Sequence, residues 1–208
     1  MSDRPRLAVV DHGAGNLVSI AQGLERAGAE VEVVAGPGGL RASDGVVLPG
    51  VGSTGSVMEG IDAAGFRDPL VALDVPLLGI CVGMQVLFET SEEDDGRCLG
   101  LLAGSVRRLE NAPTLPHIGW NDLEVVDRAD GLFAGLVSPV VYFVHSYAPA
   151  PDDPTVITAT AHHGSTFVAA VGSGTIEGVQ FHPERSGATG LRILARFVER
   201  CRGTAHAA

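Results

Sequence analysis

Apolar runs and helical repeats alternate along the first half of the chain. The runs that predict strands are RLAVVD (6–11), VEVV (31–34), GVVLPG (45–50) and VPLLGI (75–80). Between these runs, apolar residues recur at helical spacing after Asn16, from residue 56 to 73 and from residue 82 to 90. Such alternation predicts a mostly parallel sheet with helices on both faces.

The pattern changes after about residue 104, where short apolar segments are divided by Gly, Pro, Asp and Ser. The segments that predict strands are SVRRLE (105–110), LEVV (123–126), VVYFVHSY (140–147), TVITAT (155–160), TFVAAV (166–171) and TIEGVQF (175–181). A final helix is predicted for about 187–201, and the cluster APAPDDP (148–154) is expected to be a loop. The simplest architecture is one α/β domain, 1–208, with an antiparallel portion in its second half.

Composition and charge exclude several classes of protein. The chain is 45% hydrophobic and 19% charged, which is typical of a globular domain, and its net charge is −11. Because it has no block or stripe of basic residues, neither nucleic acid nor an anionic membrane surface is expected as a partner. No apolar run is long enough to span a membrane and the N-terminus does not resemble a signal peptide, so we expect a cytoplasmic protein.

The three cysteines are Cys81, Cys98 and Cys201, an odd number without a CxxC pair, which argues against a disulfide framework and a zinc site. Cys81 lies in GICVGMQVLFE (79–89), where a strand pattern passes into a helical one. A strand-to-helix turn of this kind would present a nucleophile above the carboxyl edge of a sheet, with the N–H of Val82 as an oxyanion donor. A cysteine buried for packing fits this segment equally well.

A thiolate nucleophile needs a base that is itself oriented. Among seven histidines, His182 in GVQFHPERS (178–186) stands at the end of an apolar strand. Pro183 favours an extended segment, in which His182 and Glu184 would project to the same side. Glu184 could then hold one ring nitrogen while the other faces Cys81, although a surface histidine beside an unrelated glutamate is the commoner arrangement.

A glycine-rich turn after the third predicted strand, LPGVGSTG (48–55), offers a second oxyanion donor. Gly50 and Gly52 would allow a backbone N–H to turn towards the sulfur. A phosphate-binding loop is the alternative, but this turn lacks the lysine and the spacing of a P-loop.

Together these motifs resemble the class I glutamine amidotransferases over nearly the whole chain. The blocks that resemble one family among them, the glutaminase subunits of imidazole glycerol phosphate synthases, are DHGAGN (11–16), LPGVG (48–52), GICVGMQVLFE (79–89), PHIGWN (116–121) with YFVHSY (142–147), and GVQFHPERS (178–186). The resemblance implies a flavodoxin-like fold and the hydrolysis of glutamine to glutamate and ammonia through a cysteinyl thioester, without metal or cofactor. It also implies a heterodimer with a (β/α)₈-barrel cyclase subunit, which uses the ammonia to make imidazole glycerol phosphate and aminoimidazole carboxamide ribotide in histidine biosynthesis.

The same resemblance assigns catalytic roles to individual residues. Cys81 would be the nucleophile, His182 the general base and acid, and Glu184 the residue that orients His182. The residues implied for the oxyanion region are Val51, Gly52 and Val82.

Substrate and partner contacts are also implied by the resemblance. The residues that would hold the α-groups of glutamine are Gln85 and Glu93, together with the backbone near Ser146 and Tyr147. The residues implied at the partner interface are Asn16, Trp120, Asn121, Tyr142 and Arg185. His12 and Arg185 depart from the family pattern, which usually has tyrosine and lysine at these positions.

Three alternatives remain open from the sequence. A glutaminase that serves another synthase is one, although PHIGWN and YFVHSY argue against it. A stand-alone γ-glutamyl hydrolase or cysteine peptidase is the second, and a non-catalytic interaction domain is the third. At single positions, Trp120 and Tyr142 could be core aromatics, and Glu93 could belong to a solvated acidic turn.

Overall fold

A computed structural model of the chain describes residues 4–126 and 131–204, so the ends of the predicted domain and residues 127–130 lie outside the described part. The strands are β1 (Arg6–Val10), β2 (Glu30–Val34), β3 (Gly45–Gly50), β4 (Leu77–Cys81), β5 (Thr90–Ser91), β6 (Gly96–Arg97), β7 (Gly104–Arg108), β8 (His117–Asp122), β9 (Glu124–Val125), β10 (Val140–His145), β11 (Tyr147–Pro151), β12 (Ile157–His163), β13 (Ser165–Ser173) and β14 (Ile176–Val179). The α-helices are α1 (Leu17–Arg26), α2 (Thr54–Ala63), α3 (Arg67–Val71), α4 (Val82–Gln85) and α5 (Gly187–Thr204). Short 3₁₀ helices lie at Pro37–Ala42, Gly131–Phe133, Pro154–Val156 and Pro183–Arg185.

The main sheet has the strand order β2-β1-β3-β4-β14-β13-β12-β9. The five strands from β2 to β14 are parallel, and the remaining three are antiparallel. From β1 the chain crosses to β2 on one side, and from β3 it crosses to β4 on the other. Because such crossovers are right-handed, their opposite directions place α1 and α2 on opposite faces of the sheet. The predicted flavodoxin-like α/β fold, with an antiparallel portion in the second half, is confirmed.

The core lies against the central strands because these strands are apolar on both faces. All residues of β3 and β4 are buried. Helix α1 turns Ile20 and Leu24 inwards, begins after an Asn16 side chain that accepts the N–H of Ser19, and packs against α5. The carboxyl ends of β3 and β4 thereby meet at one edge of the sheet, where Gly50 lies opposite Cys81.

Two helix predictions were wrong in extent. The pattern from 56 to 73 is two helices, α2 and α3, because Gly65 takes a φ of +72° just after α2 ends. The pattern from 82 to 90 holds only one helical turn, α4, after which the buried side chains of Leu87 and Phe88 continue the apolar run through a turn. Apolar spacing alone did not separate a buried turn from a helix.

The loop expected at 148–154 was also wrong. Residues 147–151 form β11, which pairs with β7 from Tyr147 opposite Arg108 to Pro151 opposite Gly104. Prolines are tolerated there because β11 is an edge strand of a four-stranded sheet with the order β11-β7-β5-β6. The apolar segment 140–147 is therefore divided at Ser146 between β10, which pairs with β8, and β11.

The helices in the described part of the chain are too short or too polar to cross a membrane. The longest, α5, has 18 residues and carries arginines at positions 192, 196 and 200.

Candidate active site

Cys81 occupies a sharp turn between β4 and α4. Its φ of 56° and ψ of −113° are unusual for a residue with a side chain, a conformation that costs about 1–3 kcal/mol. A Cβ atom on Gly79 would lie 2.7 Å from the carbonyl oxygen of Gly83, and one on Gly83 would overlap the carbonyl of Leu48. Both glycines are therefore needed for the turn, and the predicted strand–turn–helix arrangement around Cys81 is confirmed.

His182 and Glu184 form a buried pair beside this turn. The Nδ1–H of His182 donates to Oε1 of Glu184 at 2.9 Å, and the Glu184 side chain is 1% exposed. The segment is not extended as the sequence suggested, because Pro183 begins a 3₁₀ helix with His182 as its N-cap. Proline suits this first helical position, and the turn brings Glu184 back towards the ring of His182.

The thiol of Cys81 is the second group that acts on the ring of His182. Burial lowers the pKa of His182, but the interactions of the ring with Cys81 and Glu184 outweigh burial and raise that pKa from 6.5 to about 10. At neutral pH the ring is therefore an imidazolium, which is the counterion that a thiolate at Cys81 requires.

A cavity of about 300 Å³ opens above the sulfur of Cys81. The sequence-predicted residues that line it are Val51, Gly52, Cys81, Val82, Gln85, Glu93, Ser146, Tyr147, His182 and Arg185. Pro116, Val144 and His145 complete the lining. Residues from well-separated parts of the chain thus surround one pocket, with the thiol at its wall.

The acidic turn around Glu93 is tied to the glycine-rich loop. Oε2 of Glu93 accepts the N–H of Thr54 at 2.9 Å, and Oδ2 of Asp94 accepts the N–H of Gly55 at 2.7 Å. Both carboxylates therefore hold the N-terminus of α2, directly after Gly52, whose φ is +91°. Burial raises the pKa of Glu93, partly opposed by the N–H of Thr54.

Gln180 is a polar residue of the site that the sequence reasoning missed. It is fully buried, and its Nε2 lies 3.7 Å from Sγ of Cys81. Its Oε1 accepts a hydrogen bond from Nε2 of Gln85 at 3.0 Å. The available signal was a single glutamine between Val179 and Phe181, two residues before His182.

His145 was considered only as one histidine among seven. Its Nδ1–H donates to the carbonyl of Tyr147 at 2.8 Å, and the Nδ1–H of His117 donates to Nε2 of His145 at 3.2 Å. Burial lowers the pKa of His145 to about 3 and, with the charge of His163, that of His117 to about 4. Both rings are neutral at pH 7, and they tie β8 and β10 together beside the cavity.

Three of the five residues expected at a partner interface form one group, which we call the aromatic patch: Trp120, Tyr142 and Arg185. Trp120 is 58% exposed and packs edge-on against Tyr142, with ring centroids 5.9 Å apart. The guanidinium of Arg185 lies 4.5 Å from the centre of the Tyr142 ring. Because Arg185 also lines the cavity, the patch adjoins the site.

The other two interface candidates lie outside the aromatic patch and also make hydrogen bonds within the chain. Nδ2 of Asn121 donates to the carbonyl of His162 at 2.8 Å and lies 3.4 Å from Nε2 of His117. Asn16 caps α1. His12 is buried, and its Nε2–H donates to the carbonyl of Pro49 at 2.7 Å, just before Gly50.

The geometry can be set beside known proteins. The family model described as glutamine amidotransferase class-I matches residues 8–201. The imidazole glycerol phosphate synthase subunit HisH of Synechococcus sp. (strain JA-3-3Ab) is 50% identical over 201 residues, which cover 93% of this chain and 93% of that protein. The subunit HisH of Halobacterium salinarum is 48% identical over 206 residues, with 94% and 93% covered.

Solved structures show the same fold at low identity. A crystal structure of a glutamine amidotransferase has a TM-score of 0.73 and 23% identity, over 94% of this chain and 98% of that one. The structure of PurLQS from Thermotoga maritima has a TM-score of 0.68 and 21% identity, over 94% and 98%. The chain therefore belongs to the class I glutamine amidotransferases and, within them, to the family of the imidazole glycerol phosphate synthase subunit HisH.

Proposed function

We propose that the chain hydrolyses glutamine to glutamate and ammonia as one glutaminase domain, and that it supplies the ammonia to a cyclase subunit that makes imidazole glycerol phosphate in histidine biosynthesis. The observation that carries the proposal is the array of Cys81, His182 and Glu184 at the wall of a cavity large enough for an amino acid. The family membership of the chain supports the same reaction.

The first half of the reaction is acyl transfer to sulfur. The thiolate of Cys81 attacks the side-chain amide carbon of glutamine, forming an S–C bond while the carbonyl electrons move to oxygen. The imidazolium of His182 gives its proton to the amide nitrogen, the C–N bond breaks, and ammonia leaves a γ-glutamyl thioester. Glu184 keeps the ring in the orientation that this transfer needs.

Hydrolysis of the thioester completes the cycle. His182, now neutral, takes a proton from a water molecule, whose oxygen attacks the thioester carbon. The C–S bond breaks, glutamate leaves, and the imidazolium beside a free Cys81 thiolate is restored.

The oxyanion formed in both steps needs N–H donors. The N–H of Val82 is the first of α4 and has no partner within that helix. Val51 and Gly52 supply further backbone beside the sulfur. One such donor is typically worth about 3 kcal/mol of transition-state stabilisation.

The rest of the cavity suits the α-groups of glutamine. Glu93 is a carboxylate at its wall and would attract the α-ammonium group. Both hydrogens of the Gln85 amide are engaged by protein oxygens, so its Oε1 is the atom left to accept from substrate. Backbone at Ser146 and Tyr147 would meet the α-carboxylate.

The exposed aromatic patch supports a partner subunit. An exposed tryptophan packed beside a tyrosine and an arginine has the composition of an interface centre. The proposed partner is the (β/α)₈-barrel cyclase subunit in a heterodimer, docked so that ammonia passes from the cavity without reaching solvent. The proposed location is the cytoplasm, with which the thiol state of the three cysteines agrees.

Glutamate release by the chain alone, with the cyclase subunit, and with that subunit plus its ribonucleotide substrate tests this function. We expect slow hydrolysis by the chain alone and a rise of at least several hundredfold in the third condition, since one misaligned oxyanion donor withholds about 3–4 kcal/mol. Trp120→Ala should weaken the activation. Val137→Ala, which truncates an 83% exposed side chain outside the patch, is the control and should activate normally.

Equal rates in the three conditions would contradict the partner assignment and favour a stand-alone hydrolase. No hydrolysis in any condition, together with no labelling of Cys81 by an electrophilic glutamine analogue, would contradict the glutaminase itself.

A further inference from the structure

Gln180 lies between the sulfur of Cys81 and a residue of the cavity wall. Its side chain is fully buried, with Nε2 at 3.7 Å from Sγ of Cys81 and Oε1 at 3.0 Å from Nε2 of Gln85. We propose that Gln180 is a further catalytic residue, which donates an N–H hydrogen bond to the ionised sulfur of Cys81. The proposal deepens, and rests on, the glutaminase function given above.

A backbone carbonyl fixes the direction of every hydrogen bond in this network. The carbonyl of Tyr147 can only accept, so the Gln85 atom that lies 2.9 Å from it is Nε2. The second hydrogen of that amide is then directed at Gln180, which must present Oε1 to it. The remaining atom of the Gln180 amide, Nε2, therefore faces the sulfur, and turning either amide would bring like atoms together.

The burial of Gln180 gives the amide a cost that its partners must offset. Gln180 follows β14, with the fully buried side chains of Val179 and Phe181 on either side of it in sequence. A buried amide without partners is unfavourable by several kcal/mol, whereas an apolar side chain would pack there without that penalty. What the amide provides and an apolar side chain would not is an N–H donor directed at the sulfur of Cys81.

The expected effect of this donor is on the amount of thiolate at a given pH. An N–H that points at an anion stabilises the ionised form, as does the imidazolium of His182. The bond is made to sulfur before attack, and it weakens as charge leaves sulfur for the substrate. Loss of the donor should therefore slow the reaction of the sulfur with an electrophile at low pH. It should have little effect at high pH, where the sulfur is ionised with or without the donor.

Other titratable groups surround the sulfur and must stay constant in a test. Those at the cavity are His182, His145, Glu93, Tyr147 and Arg185, with Glu184 behind His182. The pKa of His145 is lowered to about 3 by burial, and that of His182 is raised to about 10 by its bonds to Cys81 and Glu184, which outweigh its burial. A substitution at position 180 removes none of these groups, so a comparison at matched pH isolates the amide.

The test is the rate at which iodoacetamide alkylates Cys81 in the full chain from pH 4 to 9.5, with the labelled residue identified by mass. In Gln180→Met we expect the pH midpoint of alkylation to rise by about one unit, which lowers the rate about tenfold below the midpoint. Gln85→Met is the matched control, since it breaks the same Gln85–Gln180 contact but leaves the Gln180 amide beside the sulfur, where an ionised sulfur favours the N–H side of the amide. It should shift the midpoint much less than Gln180→Met does and raise the KM for glutamine.

A second variant covers the case in which Gln180→Met does not fold. Gln180→Asn keeps a shorter amide and should shift the midpoint in the same direction by less, while labelling of Cys98 or Cys201 would report unfolding of either variant. A folded variant at position 180 with the wild-type midpoint would overturn the proposal, and Gln180 would then serve only to hold Gln85. Alkylation needs no glutamine, so this result stands apart from failure of the glutaminase function.

Discussion

The spacing Gly-x-Cys-x-Gly occurs twice in the chain, as GICVG at 79–83 and as GRCLG at 96–100. Both cysteines are buried, with Cys81 3% and Cys98 6% exposed. Around Cys98, burial raises the pKa of the thiol to about 11, an effect that the nearby Arg67 charge only partly opposes. Cys81 instead has His182 and the amide of Gln180 beside its sulfur.

The glycines of the two segments differ as much as their cysteines. A Cβ atom on Gly79 would meet backbone atoms of Gly83 and Met84 at 2.7–2.8 Å. A Cβ atom on Gly96 would have 3.8 Å to its nearest neighbour, and one on Gly100 would meet nothing within 4 Å. Burial and glycine spacing therefore do not distinguish the two cysteines, whereas the groups brought to Cys81 from distant segments do.

Replacing each cysteine by alanine should separate the two segments most clearly. Cys81→Ala should lower glutamine turnover by at least about 10⁴-fold because it removes the nucleophile. Cys98→Ala should leave turnover unchanged, and both variants should still bind the partner. Substantial glutaminase activity in Cys81→Ala, measured as glutamate release, would show that the wrong thiol has been assigned.

Glu184→Gln tests whether charge beside His182 distinguishes the two regions. The amide keeps the shape but loses the negative charge that supports the imidazolium, so turnover should fall by about 10³-fold with little change in glutamine binding. Glu177→Gln is the matched control, a 5% exposed glutamate paired with Arg200 at 3.3 Å, away from the cavity. Turnover is measured under saturating glutamine, and equal values for the two variants would remove Glu184 from the mechanism.

A weaker effect concerns the alkaline stability that Cys98 confers. A thiol whose pKa is raised from 9.0 to about 11 by burial holds its proton longer in the folded state than in the unfolded state. Its contribution to the free energy of unfolding is therefore complete below pH 9. As the pH rises to 11 that free energy falls by about 1–2 kcal/mol, after allowance for solvent screening.

Urea unfolding of wild type and Cys98→Ala between pH 8 and 11 measures this loss. The free energy of unfolding should fall less steeply with pH in the variant. The sequence contains no lysine, and His182, whose pKa is raised to about 10, is present in both proteins and cancels in the comparison. If the free energy of unfolding changes with pH in parallel for the two proteins, the Cys98 thiol titrates alike in the folded and unfolded states.

The fold, the Cys81 turn and the nearness of Glu184 to His182 could be predicted because they depend on patterns within one segment, whereas most other cavity residues were implied by the family resemblance. Alternating apolar runs predicted the parallel sheet, and the Cys81 and His182 segments stand where strands end. The Cys98 segment has the same glycine spacing, but no apolar strand leads into it. Local pattern was therefore informative only where a strand preceded it.

The features that could not be predicted depend on contacts between segments. The role of Gln180 follows from Gln85 and the carbonyl of Tyr147, which come from distant parts of the chain. The proline-rich segment 148–154 has the composition of a loop until β7 is known to lie beside it. Asn121 stays a predicted interface residue, and the contacts of its amide with His162 and His117 are ones that no spacing rule reveals.

The backbone contacts at the Cys81 turn limit how the enzyme can be engineered. A Cβ atom at Gly50 would lie 2.6 Å from the nitrogen of Gly83, and one at Gly83 would overlap the carbonyl of Leu48. Substitutions at these two glycines would disrupt the Cys81 turn before they altered selectivity. The close atoms belong to the backbone, not to side chains that can rotate away. Changes of substrate range must instead come from side chains that line the cavity and whose removal leaves the turn intact, and Val51, 40% exposed, is one accessible starting point.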